Sequence, residues 1–148
     1  MDENRKSLYE KAYQIAKEKH KNQKDKAGHP YFAHVLRVSE LCRSDDAKII
    51  ALLHDTIEDT DTTPGELLKI FPAHIVIAVI LLTKRPWISE ETYFARIYEN
   101  SLARGVKRAD LLHNMDISRI PCPDEQDIER IKKYYREYLF LIYGKWPD

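Results

Sequence analysis

Apolar residues recur at three- and four-residue steps along nearly the whole of this chain, and no segment offers a partner from which a sheet could be built. Leu8, Ala12 and Ile15 form one such stripe; Ile128, Ile131, Tyr135, Tyr138 and Ile142 form another. The β-branched run over residues 75–82 fits a strand by periodicity alone. A lone strand has nothing to satisfy its backbone groups, so the run is read as a buried central helix. Ser44, Ser89 and Asp124 stand where N-caps belong, Thr63-Pro64-Gly65-Glu66 has the form of a capping box with proline at the first helical position, and Pro72 opens the apolar run. The expectation is an all-α fold in one domain over residues 1–148, with no internal repeat or linker.

Charge narrows the partners. The 24 basic and 24 acidic residues cancel, whereas a bulk polyanion such as duplex DNA calls for a basic face. The two cysteines, Cys42 and Cys122, have neither metal-site spacing nor the count of a disulfide framework. The N-terminus lacks the apolar core of a signal peptide, and residues 75–82 are far too few to span a bilayer. A cytoplasmic protein with a small-molecule partner is expected, with no nucleic acid and no membrane. The aromatic stripe near the C-terminus suits core packing or a homodimer contact.

The segment Ala51-Leu52-Leu53-His54-Asp55-Thr56-Ile57-Glu58-Asp59 sets metal-suited side chains at the end of an apolar run. On a continuous helix, residues three and four apart share a face. Glu58 is then expected one turn above His54, and Asp59 one turn above Asp55. Three acids with no base among them resist burial beside Leu52 and Leu53, and a bound cation removes that objection. A solvated helix end, with His54 satisfied by a carbonyl, is the competing reading of this segment alone. Two more blocks carry matching chemistry. Gly28-His29-Pro30-Tyr31-Phe32-Ala33-His34 brings in an imidazole after a turn, and Asp110 and Asn114 stand four apart on a later helix.

In this order and at these separations, the blocks resemble those of the HD-domain metal-dependent phosphohydrolases, among them the hydrolase domain of the Rel/SpoT alarmone enzymes and their small single-domain relatives. The resemblance runs from about His20 to Arg119. It implies an HD-type helical bundle with a metal site between helices, and His34, His54, Asp55 and Asp110 as the ligands. Manganese is the ion such relatives commonly hold, and a nitrogen-and-oxygen set also suits Fe²⁺, Co²⁺ or Zn²⁺. Glu58 and Asp59 would be the catalytic acidic pair, and Asn114 would reach the substrate or a water. The implied reaction is removal of the 3′-pyrophosphate of guanosine tetra- or pentaphosphate, (p)ppGpp, the alarmone of the stringent response. The synthetase domain that follows in Rel/SpoT enzymes is not seen before the chain ends, so alarmone synthesis is not expected.

Substrate contacts are expected from the loop before His34, through Lys24, Asp25 and Lys26, and from Tyr31 against a sugar or base. Lys84, Arg85, Lys107 and Arg108 are further phosphate candidates. His113 is read as supporting the site or the core, His20 as packing its helix or supporting the following loop, and His29 and His74 as surface residues. One departure bears on the substrate: the relatives' loop carries an Arg-Lys pair whose arginine stacks on guanine, and here the pair is Asp25-Lys26. Leu111 also replaces a frequent arginine, and Val35 a proline. A second enzyme reading therefore keeps the mechanism on another phosphorylated nucleotide. A non-enzymatic reading is a catalytically silent nucleotide-binding module.

Overall fold

The computed structural model describes Met1 to Asp148 and is helical throughout, the only β feature being an isolated bridge between Lys24 and Pro30. Nine α-helices run in the order α1 (Glu3–Lys19), α2 (Tyr31–Leu41), α3 (Asp45–Leu53), α4 (Thr56–Asp59), α5 (Pro64–Leu68), α6 (Ala73–Leu82), α7 (Glu90–Glu99), α8 (Ser101–Asn114) and α9 (Glu125–Tyr143), with a 3₁₀ turn at Ile117–Arg119. Their starts follow the capping signals. Ser44, Thr63, Ser89 and Asp124 each accept a backbone N–H from the first turn of the helix they precede, and Asp124 forms a reciprocal capping box with Asp127. No helix is long and apolar enough to cross a membrane.

The central element is α3, not α6 as the sequence suggested. Helix α3 packs against α1, α2, α6 and α8 and buries Ala47, Ile49, Ile50, Ala51, Leu52 and Leu53. Helix α6 is a flank: Ile75, Val76, Ala78, Val79 and Leu82 face the core, while Ile77 and Ile80 remain exposed. A wholly apolar sequence does not reveal which of its faces lacks a neighbour.

The C-terminal helix divides its apolar stripe. Ile131 and Tyr138 are half-buried, with Tyr138 packed against the core, while Ile128, Tyr135 and Ile142 are exposed; the buried residues are Glu137, Phe140 and Leu141. It docks on α7 and α8 through this second face. Gly144 then turns the chain back at φ +74°, where an added Cβ would meet the Tyr98 ring at 2.8 Å. Glycine is required there, and the reversal stacks Trp146 on Phe140 at 4.5 Å between ring centroids.

Candidate active site

Three helices converge on a buried polar centre. Helix α2 supplies His34, α8 supplies Asp110, and the end of α3 supplies His54; their ligand atoms all lie within 4.8 Å of one another. All three residues are buried.

Around His54 the structure departs from the continuous helix expected. Helix α3 ends at Leu53, His54 and Asp55 form a turn, and α4 begins at Thr56. Side chains take over the carbonyls that a further helical turn would use: His54 Nδ1 donates to Ala51 O at 2.5 Å and Thr56 Oγ1 to Leu53 O at 2.7 Å. Imidazole and carboxylates therefore do not share one stripe. The break turns His54 inward, sets Asp55 toward Tyr31, and points Glu58 at the loop after α6.

A carbonyl has no proton to give, so the proton on the His54 ring sits on Nδ1 and the lone pair on Nε2. Nε2 is buried without a hydrogen-bond partner. It lies 3.1 Å from Asp55 Oδ2 and 3.6 Å from Asp110 Oδ1. His34 Nε2 is 2.9 Å from the same Asp110 oxygen. A bare imidazole lone pair facing two carboxylates needs a cation between them, whether a proton or a metal ion. Without a metal, the proton answers: burial opposes the charge of His54, but Asp55 and Asp110 outweigh it and raise its pKa well above the ordinary value. Two neutral imidazoles and hard carboxylate oxygens, with lone pairs converging, fit a divalent ion.

Neighbours fix each of these groups. Asp110 Oδ2 accepts from Lys107 Nζ at 3.1 Å and its Oδ1 from Asn114 Nδ2 at 3.2 Å. Burial works against the Asp110 charge, yet Lys107 and the two imidazoles hold the carboxyl well below its usual range. Burial likewise opposes the Lys107 charge, and Asp110 keeps the ammonium protonated. Asp55 accepts the Tyr31 hydroxyl at 2.5 Å. Its burial is outweighed by His54 and by that hydroxyl, leaving the carboxyl near 2. Asp55 lies beside the three converging residues and is not within their common 4.8 Å set.

The acidic pair lies on α4, and both residues reach solvent. Glu58 Oε1 accepts the Lys84 backbone N–H at 2.6 Å. With Asp55, Lys84, Lys107, Lys133 and Glu137 it borders a cavity of about 150 Å³. Asp59 is pushed up to about 6 by partial burial and by the charges of Asp55 and Glu58, the mark of a site short of positive charge. Behind it, His20 is buried and donates to Gln23 Oε1 at 2.8 Å, and Gln23 Nε2 donates to Asp59 O at 3.0 Å. His20 thus supports the loop, as its position suggested.

The other expected contacts divide. Lys24 and Lys26 are exposed on the loop before α2. Asp25 is turned inward: Oδ1 accepts the N–H groups of Ala27 and His29, and Oδ2 faces Arg119 Nη2 at 3.4 Å. Tyr31 sits between His20 and His34 with its hydroxyl on Asp55, so it braces the centre. Lys107 points in and Arg108 points out, 5.7 Å from the Tyr138 ring. His29 and His74 are exposed as expected. Lys133 and Glu137 went unrecognised. Their signal was an inward spacing with Tyr134, Phe140 and Leu141, obscured by the stronger stripe on the other side of α9.

No family model matches the chain. The guanosine-3′,5′-bis(diphosphate) 3′-pyrophosphohydrolase MESH1 of Danio rerio is 34% identical, over 88% of this chain and 79% of the relative. The GTP pyrophosphokinase rsh of Brucella suis biovar 1 (strain 1330) is 38% identical over 81% of this chain, which spans only 18% of that protein's length. The guanosine-3′,5′-bis(diphosphate) 3′-pyrophosphohydrolase of Aquifex aeolicus (strain VF5) is 44% identical over 51% of this chain and 11% of its own. A solved structure of a metazoan ortholog of SpoT, described as hydrolysing ppGpp, superposes with a TM-score of 0.74 over 95% of this chain and 88% of its own, at 23% identity. That likeness confirms the HD-type fold.

Proposed function

This chain belongs to the HD-type phosphohydrolase family that includes MESH1 and the Rel/SpoT hydrolase domain, and we propose that it removes the 3′-pyrophosphate of guanosine tetra- or pentaphosphate. Water adds to the phosphorus joined to O3′, the P–O3′ bond breaks, and a proton passes to O3′. The products from the tetraphosphate are GDP and pyrophosphate. One observation carries this reading: the ligand atoms of His34, His54 and Asp110 meet within 4.8 Å, next to the Glu58–Asp59 turn.

His34, His54 and Asp110 would hold a divalent ion, with Asp55 beside them as the fourth ligand. We take the ion to be manganese, on the hardness of the donor set. When bound, it would supply Lewis acidity to a phosphoryl oxygen and to the attacking water. Glu58 is anchored by the Lys84 amide through one oxygen, and its other oxygen orients or deprotonates the water. Asp59, with a carboxyl near 6, shares the proton handling. Lys84, Lys107 and Lys133 at the cavity, with Lys24 and Lys26 on the loop, meet phosphate charge. A cytoplasmic location belongs to the same reading, and the exposed Tyr135 and Ile142 would serve a homodimer.

The test is incubation of the manganese-loaded protein with ppGpp, pppGpp and nucleoside 2′- and 3′-phosphates, with products identified by chromatography. GDP and pyrophosphate are expected from ppGpp. Turnover of a different nucleotide alone would move the substrate and keep the mechanism. No turnover at full metal occupancy, with ppGpp still bound in a titration, would establish a silent binding module.

A further inference from the structure

On the face of α8 opposite Asp110 lies a second cavity, of about 470 Å³, which shares no residue with the one beside Glu58. Its volume is that of a ligand pocket. Its floor is apolar, from Cys42, Ala47, Leu102 and Ala109, and its only charged lining residues are Arg43 and Arg108. Neither arginine meets a carboxylate of the chain, and Arg108 lies over the Tyr138 ring at 5.7 Å.

Gly105 gives a second, independent indication. It stands in the middle of α8, where glycine weakens a helix. Its φ is not positive, so the backbone does not require it. A Cβ at this position would meet nothing within 4 Å, so packing does not require it either. Gly105, Arg108 and Leu112 share one helix face by their spacing, and all three line the cavity. Glycine with open space above it allows something outside the chain to approach the backbone closely.

We propose that this groove binds a small organic anion with a flat apolar body. Arg43 and Arg108 engage its phosphate, sulfonate or carboxylate group, Tyr138 and the apolar floor cover its body, and Gly105 leaves the room it occupies. A guanidinium group matches such oxyanions in geometry as well as charge.

The test is titration of the metal-loaded, full-length protein with three probes: 1-anilinonaphthalene-8-sulfonate, GMP and inorganic phosphate. Saturable binding of at least one organic anion is expected, with phosphate alone much weaker. Two variants locate it. Arg43→Glu combined with Arg108→Glu reverses the charge, and Gly105→Phe fills the space without disturbing the backbone. Each should weaken binding by about tenfold or more, as loss of a charge-assisted contact does, with metal content and melting temperature near those of the parent. No saturable binding of either organic anion overturns the proposal, as does unchanged affinity in both variants or phosphate binding as tightly as the organic probes. A dimer that Gly105→Phe dissociates would instead make this face an interface between copies of the chain.

Discussion

The Nδ1 atoms of His34 and His113 lie 2.7 Å apart, with the rings stacked at 18° and 4.9 Å between centroids. One nitrogen must donate and the other accept. His113, held down at about 4 by burial, Arg119 and His34 and therefore neutral, can take either role. In the metal-free centre His34 Nε2 donates to Asp110 Oδ1 at 2.9 Å; with an ion beside Asp110, His34 would donate through Nδ1 to His113 and its Nε2 lone pair would face the ion. The contact thus supports the tautomer and orientation a metal ligand needs. His113→Phe keeps the stacked ring and removes the acceptor. Its affinity for Mn²⁺ should fall by about 10–100-fold, measured by competition with a chelator. Unchanged affinity would reduce His113 to a packing residue.

Removing a converging group should be more severe. His54→Ala and Asp110→Ala are each expected to lose both bound metal and activity, since each deletes a donor and Asp110 also a charge. Asp110→Ala should lower the melting temperature as well, because Lys107 is left buried without its carboxylate. Metal analysis showing full occupancy in either variant contradicts the assignment.

Much of this arrangement is legible in the chain. Capping residues place the helix starts within a residue or two, and His34, His54 and Asp110 are drawn together because each ends or interrupts an apolar helical face. The break between α3 and α4 was not legible. It depends on His54 and Thr56 competing for backbone carbonyls, which propensity and spacing do not encode. The docking face of the C-terminal helix was not legible for another reason: the helix has apolar residues on two faces, and only tertiary packing selects the one carrying Glu137 and Leu141. Lys133 and Glu137 at the cavity follow from that choice.

Metal binding and pH should be linked in a defined direction. His54 is raised well above its usual value, so its proton contributes stability that is complete below the ordinary histidine value and lost as pH rises through the raised one. Asp59, pushed up to about 6, acts with the same sign, its contribution disappearing as pH rises through that value. Asp55, near 2, acts oppositely, but only in strong acid. Metal-free protein should therefore lose stability from mildly acidic to alkaline pH. An ion replaces the His54 proton, so the rise in melting temperature with added Mn²⁺ should grow between about pH 5 and 8. A metal effect that shrinks over that range would be inconsistent with the site.

Glu58 should separate binding from chemistry. In Glu58→Gln the side-chain carbonyl can still accept the Lys84 N–H that Oε1 accepts at 2.6 Å, so the loop should stay in place and metal content should not change. The amide cannot take a proton from water. Turnover should fall about a hundredfold, within the range of lost general-base catalysis. Near-parental turnover would show that Glu58 serves only as a cap for the Lys84 amide.

Asp25 stands where the resemblance implies a base-stacking arginine, and its hydrogen bonds suit it to bracing the loop. Oδ1 accepts from Ala27 N at 3.0 Å and His29 N at 2.9 Å, while Oδ2 faces Arg119, whose other amine donates to His113 O at 2.8 Å. The loop bearing Lys24 and Lys26 is thereby tied to the end of α8, the helix of Asp110. Asp25→Ala would leave two loop amides and one nitrogen of the Arg119 guanidinium without a partner, each lost hydrogen bond costing about 1 kcal/mol. The Michaelis constant for the nucleotide should rise by about tenfold, turnover should change less, and amide exchange in the loop should accelerate. Asp25→Asn retains the Oδ1 acceptor and should preserve most of the loop's protection while losing the ion pair. Asp25→Arg decides between brace and substrate contact. A brace predicts a higher Michaelis constant, since the new cation meets Arg119 and closes no loop amide. A lower one would show that the position faces the nucleotide base.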